Sequence, residues 1–306
     1  MKRTTSLLAL LFALAFAGQA AAAPDQRAED LLKQARTAIG GEEALQKIQS
    51  LFAKGQYRRL LGGREMSGER ELSLMLPDKY LLEDSFSQGG LSTAMINTKG
   101  LNGDKAWTSS SGGGMGGGIV FRMAGPGNQQ ATPEQLEAMF RRMHGVEFAR
   151  YLLAIVLSAP PSLAVNYTYA GESDVEDSHA EAIDVTGPDN FSVRLFFDKQ
   201  SHLPLLLSYR GRKPRIMTSF ARAADGKSED ALKKAREEAE KKIAAEGPAK
   251  PEEVDFFIRL TEYKKVNGIL LPHKFTFLTE SEVSEEFEVS KYQLNPSFKA
   301  DKFQKN

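Results

Sequence analysis

Apolar positions along this chain change period more than once, and the changes separate helical from extended segments. Over residues 25–39, Ala28, Leu31, Leu32, Ala35 and Ile39 recur at three- and four-residue spacing, which predicts an amphipathic helix. Gly40-Gly41 supplies the stop, because glycine takes a left-handed cap without a Cβ penalty. A second short helix from Glu42 to Ile48 leads into Ser50-Leu51-Phe52. The period then falls to two. Leu72, Leu74 and Leu76 alternate with Ser73 and Met75, and short strands follow around Tyr80–Phe86, Ser92–Asn97 and Lys105–Ser109.

A helical period returns at Thr132-Pro133-Glu134-Gln135, where Thr132 is the expected N-cap, Pro133 the first helical residue and Gln135 the capping-box partner. Leu136, Met139, Phe140 and Met143 form its apolar stripe. Gly145 is a natural break or bend, after which Phe148, Leu152, Leu153, Val156 and Leu157 run to Pro160-Pro161. That second part is apolar on nearly all sides, which predicts deep burial. Alternation resumes at Val165, Tyr167 and Tyr169, then at Ile183 and Val185, Val193 to Phe197, Ile216–Phe220, Val254–Lys265, Leu271–Thr279 and Val283–Tyr292. These segments predict about ten or eleven short strands, and a fold class of α+β, mainly antiparallel β.

The strand junctions carry their own signature. Phe196 to Leu207 and Tyr263 to Phe275 each read as a strand, a polar turn, a Leu-Pro and a second strand. Asp198 and Asn267-Gly268 suit the turns, and proline, lacking an N–H, suits the first residue of a strand or an edge. Two stretches depart from this pattern. Residues 109–131 hold the run Gly112 to Gly118 and have no phosphate-loop spacing, so they read as a loop. Residues 225–250 are rich in Lys, Glu and Ala. Glu229–Lys233, Glu237–Lys241 and Glu238–Lys242 are favourable i,i+4 pairs, and the thin stripe Leu232, Ala239, Ile243 predicts an exposed helical insertion.

Composition adds an address. Lys2-Arg3, an apolar core from Leu7 to Phe16 and small residues after it have the form of a secretory signal over residues 1–22, with cleavage near Ala20 to Ala22. The apolar core is shorter than a membrane span. The expected product is a soluble exported protein, with enough residues over 25–306 for one large domain or two small ones. The chain has no cysteine, so its stability rests on a hydrophobic core without disulfides. Its 40 basic and 40 acidic residues balance, which gives no electrostatic case for nucleic acid or an anionic membrane.

No residue pattern points to catalysis. Neither a GxSxG elbow nor an SxxK motif is present, and His144, His179, His202 and His273 share no metal-ligand spacing. The acidic run Glu172 to Glu181 lacks the glycine and terminal Glu of a calcium loop and reads as a solvated hairpin. No catalytic residue, metal site or cofactor is expected. Trp107, the single tryptophan, is either a core aromatic behind a turn or a ring lining a cavity.

Taken together, the leader and several motifs resemble the LolA-like superfamily of outer-membrane lipoprotein-sorting and lipoprotein carrier proteins. The matching motifs are Ile39-Gly40-Gly41-Glu42-Glu43-Ala44-Leu45, Leu51 to Gly55, Pro77-Asp78-Lys79-Tyr80, Asn102 to Trp107, Asp198 to Pro204 and Tyr263 to Pro272. The resemblance implies an incomplete, half β-barrel whose concave apolar face is covered by helices. It implies a non-catalytic periplasmic carrier for a lipidic or acylated ligand, with 136–157 as lid or plug. The family's lid-latching arginine has Arg58, Arg59 and Arg70 as possible counterparts. On this reading the apolar site comprises Trp107, Leu136, Met139, Phe140, Met143, Phe148 and Leu152. The expected partner is a lipid or an acylated lipoprotein. The alternative is an envelope protein–protein interaction module of the same fold, docking a protein partner through a sheet edge or the 225–250 helix.

Overall fold

Tight turns join several of the neighbouring strands. The computed structural model describes residues 25–61, 64–86, 95–111, 132–213 and 252–305. Helix α1 (Gln26–Ile39) and the short α2 (Glu42–Gln46) precede strands β1 (Ser50–Leu61), β2 (Arg64–Met75), β3 (Lys79–Phe86), β4 (Met95–Asn102) and β5 (Lys105–Ser111). Helix α3 (Pro133–Val156) follows. The chain ends in β6 (Asn166–Val175), β7 (Ser178–Thr186), β8 (Ser192–Asp198), β9 (Pro204–Arg212), β10 (Glu253–Val266), β11 (Ile269–Thr279) and β12 (Glu282–Leu294). The leader, Gly112 to Gly118, the expected strand Ile216–Phe220 and the 225–250 insertion lie outside the described residues.

All twelve strands form one antiparallel sheet in the order β5-β4-β3-β2-β1-β12-β11-β10-β9-β8-β7-β6. Every pair except β1–β12 is a sequence neighbour, so the sheet is two meanders sewn together by the first and last strands. The edges, β5 and β6, are the two strands that α3 joins. The open sheet curves, and α1 and α3 pack on one of its faces around a single large core. This is the mainly-β, incomplete barrel that the resemblance implies.

Both Leu-Pro hairpins are present, with different local solutions. In the β8–β9 turn, Asp198 Oδ1 accepts from the N–H groups of Gln200 (3.2 Å) and Ser201 (2.7 Å), and His202 takes φ of 57°. In the β10–β11 turn, Asn267 (φ 49°) and Gly268 (φ 88°) both adopt the positive φ that a two-residue hairpin needs. Pro204 opens β9 as expected. Pro272 lies inside β11 rather than at its start, and is tolerated there because β11 pairs with β12 only from Lys274 onward. Each proline carbonyl accepts a tyrosine hydroxyl, Tyr263 to Pro204 and Tyr292 to Pro272, both at 2.7 Å.

Helix α1 starts at Asp25, whose carboxylate accepts from the N–H groups of Arg27 and Ala28 and, through Oδ2, from Tyr169 at 2.8 Å. The register of β6 and β7 shifts between Tyr169 and Gly171, so this cap also ties α1 to the β6 edge. Helix α3 has the expected capping box, Thr132 with Gln135. It does not break at Gly145: one continuous helix runs through that position. A helix that is continuous through the position tolerates one glycine at a cost of about 1 kcal/mol.

The outer face of the sheet carries charged ladders, including Lys54 with Glu69 and Glu71, and Lys274 with Glu286 and Glu288. Part of it is covered by the C-terminal segment, where Phe303 and Phe298 pack with Leu81, Trp107 and Met75.

Candidate functional site: the groove under helix α3

Strand alternation decides what the groove contains. On β2, Leu72 and Leu74 face α3, so Arg70, two residues earlier, faces it as well. The directly opposite residue on β3 is Asp84. Arg70 donates to both Asp84 oxygens, from Nε at 2.6 Å and an Nη at 2.8 Å, and to Glu285 of β12 at 3.2 Å. Its guanidinium lies 3.7 Å over the Tyr57 ring. Arg70 is 2% exposed and Asp84 6%, a depth at which charged residues survive only when paired. Burial is the largest influence on the Arg70 charge and opposes it, but Asp84, Tyr57 and Tyr151 together outweigh it and hold the guanidinium protonated. Burial also pushes Glu285 upward, and Arg70 with Arg59 brings it below the usual carboxylate value.

Helix α3 adds a second set of polar groups. Glu147 accepts from Lys99 Nζ at 2.8 and 3.1 Å, a pair that is partly exposed at the groove mouth. Burial disfavours both charges, yet each stabilises the other, so the ammonium titrates above and the carboxylate below its ordinary value. Nε2 of His144 lies 3.1 Å from the Trp107 carbonyl and 3.2 Å from Thr108 Oγ1, and its ring stacks on Phe140. Donation to the carbonyl places the proton on Nε2 and leaves Nδ1 buried without a partner. Burial therefore lowers the His144 pKa, and the ring is neutral at pH 7.

Beyond this belt the groove is apolar. Phe148, Tyr151, Leu152, Ile155 and Val156 are buried against Leu51, Leu74, Tyr80, Phe275 and Phe287. The void left between Leu51, Leu74, Leu76, Leu152, Ile155 and Val156 is about 20 Å³, room for roughly one water. The helix itself fills the groove at this end.

The residues expected from sequence separate into three groups. Phe148 and Leu152 are buried in the groove (1% and 4% exposed). Leu136, Met139 and Phe140 are half-buried along the outer half of α3, and Met143 is 48% exposed. Trp107 does not join them. Ala106 and Thr108 face α3, so Trp107 points to the opposite face, where it packs with Leu81 and Phe303. Its ring lies across Gly100, its directly opposite partner on β4. Of its two readings, the core aromatic is the one realised.

The sequence reading missed the charged belt of Asp84, Lys99, Glu147, Arg150 and Glu285, and left Arg70 among three arginines. A signal existed for part of it: Arg70 and Asp84 each stand two residues from an inward leucine, Leu72 and Leu82, in strict alternation. Two other polar contacts tie α3 across the groove. Arg141 donates to the Asp104 carbonyl in the β4–β5 turn at 3.4 Å, and Arg142 to the Asp189 carbonyl in the β7–β8 turn at 3.0 Å.

No protein-family model and no curated protein matches the chain. Solved structures do match it, at low identity. A putative outer membrane lipoprotein-sorting protein domain from Vibrio parahaemolyticus is 10% identical, covering 90% of this chain and 97% of that one, with a TM-score of 0.44. A LolA superfamily protein from Nitrosomonas europaea is 9% identical, covering 91% and 97%, at 0.44. A DUF1329 family protein from Desulfovibrio piger is 9% identical, covering 90% and 97%, at 0.41.

Proposed function

We propose that the chain is a non-catalytic periplasmic carrier for a lipidic or acylated ligand, with α3 as the element that gives way to the ligand. One observation carries this reading: α3, which covers the apolar concave face of the sheet beside α1, has two halves that are held differently. The inner half, from Phe148, is buried on nearly every side. The outer half rests on polar contacts from Glu147, Arg141 and Arg142 and leaves Leu136, Met139, Phe140 and Met143 only half-covered. Methionines and a phenylalanine on a liftable helix suit an apolar surface that re-packs around different chains. Burying an acyl chain yields about 0.8 kcal/mol per CH₂, so binding needs no reacting group.

Because the void at the inner end of α3 is about 20 Å³, a chain bound there has to displace part of the helix. Native mass spectrometry of the exported protein should show a co-purifying lipid mass. The uncharged probe N-phenyl-1-naphthylamine should bind saturably, and Phe140→Ser with Met143→Ser should weaken it. A protein that is ligand-free from the envelope and gives no saturable probe signal has a solid core and no carrier role.

A further inference from the structure

Among the described residues, the charged belt inside the groove comprises four cations, Arg59, Arg70, Lys99 and Arg150, and three carboxylates, Asp84, Glu147 and Glu285, so that one cation is left over. Arg70 takes Asp84 bidentately and shares Glu285 with Arg59. Glu147, one helical turn before Arg150, is turned away to Lys99. Among the described residues Arg150 therefore has no carboxylate in salt-bridge contact. Its Nε is buried without a hydrogen-bond partner, and its guanidinium carbon lies 3.3 Å over the Tyr209 ring, which is itself stacked on Phe256.

Burial disfavours the Arg150 charge, and the lowered pKa it produces is only partly countered by Tyr209 and Glu147. A guanidinium does not shed its proton under ordinary conditions, unlike a buried lysine. A stack on an aromatic ring offsets part of the lost hydration and leaves the in-plane donors free. Those donors have the fork geometry that recognises carboxylate and phosphate oxygens. The counter-charge that the described residues do not supply is one that a ligand can bring.

We infer that Arg150 is an anion-binding residue, held flat by Tyr209, that receives the carboxylate or phosphate group of an amphiphile whose chain enters the groove beside α3. This rests on the carrier reading and narrows it to amphiphiles with an acidic head.

The test titrates the exported protein with palmitate and dodecyl phosphate, with their uncharged counterparts methyl palmitate and dodecanol, and with inorganic phosphate, following heat by calorimetry. The acidic amphiphiles should bind about tenfold or more tightly than the neutral ones, as expected for a charge-assisted pair. Arg150→Gln should erase that difference while leaving neutral-chain affinity in place, and Arg150→Lys should retain part of it. Circular dichroism confirms that both variants are folded; should Arg150→Gln fail to fold, Arg150→Lys carries the test through the loss of the bidentate increment. Binding of inorganic phosphate alone with the same Arg150 dependence supports the anion site and identifies its source as a free anion. Equal affinity for acidic and neutral chains, or a preference that survives Arg150→Gln, overturns the inference and leaves the carrier reading standing. Absence of binding by every chain overturns both.

Discussion

Arg70 and His144 are both buried in the same groove and answer burial in opposite ways. Arg70 keeps its charge because Asp84 and Glu285 meet it, whereas His144 gives its charge up because its Nδ1 meets nothing. The difference should be visible in stability against pH. A group whose folded pKa lies below its ordinary value stabilises the fold fully above that ordinary value and less as pH falls through the folded one. For His144 the loss begins below 6.5, and for Glu285 and Glu147 below 4.5. Thermal unfolding should therefore decline in two stages. His144→Gln should flatten the first and Glu285→Gln the second; an unchanged slope between those values in His144→Gln refutes the assignment. On the outer face, a Cβ on Gly100 would sit 2.2 Å from the Trp107 ring. Gly100→Ala should cost about 1–3 kcal/mol by overpacking. Its cost should shrink when Trp107→Leu is already present, and chemical denaturation of the four proteins checks this.

At the scale of elements, α3 contains one position where the helix is weaker than its surroundings require. Gly145 has ordinary helical backbone, and a Cβ there would meet nothing within 4 Å. Gly145→Ala should stabilise the protein by about 0.5–1 kcal/mol, read as a rise in melting temperature. Should Gly145 serve as the point where α3 bends to admit ligand, the same change should slow uptake of N-phenyl-1-naphthylamine. The helix ends and hairpins were legible in sequence because their causes are local: Thr132 with Gln135, Gly40 after Ile39, Asn267-Gly268 between alternating runs. The continuity of α3 was not, since nothing local distinguishes a tolerated glycine from a hinge. Nor was the direction of Trp107, which depends on the glycine facing it across the sheet. The charged belt was half legible. Alternation placed Arg70 and Asp84 inward, but Glu285, Lys99 and Arg150 became neighbours only through strand order and helix docking.

Among the described residues the molecule is two antiparallel meanders joined along β1 and β12, with α3 between the two edge strands β5 and β6 in the chain. That connectivity gives α3 unequal freedom. Its C-terminal end is held from several sides: the Leu157 carbonyl accepts from Arg36 of α1 at 2.9 and 3.2 Å, and Ile155 and Val156 are packed against β1 and β2. Its N-terminal half is anchored inside by the buried His144 and otherwise crosses the mouth of the groove on contacts that water can replace. The partly exposed Lys99–Glu147 pair is one of these, and an exposed pair stabilises by about 0.2–1 kcal/mol, a change in opening equilibrium of roughly 1.4- to fivefold. Lys99→Met should therefore raise hydrogen exchange by that factor at the amides of 133–147. Those of 148–156, whose exposure requires loss of the core itself, should remain as protected as before. Uptake of N-phenyl-1-naphthylamine should accelerate in parallel. Swapping the charges, Lys99→Glu with Glu147→Lys, should restore both rates. Uniform exchange along α3 would mean that the helix opens only with the whole fold, and ligand entry would then have to follow global unfolding rather than the lifting of one end.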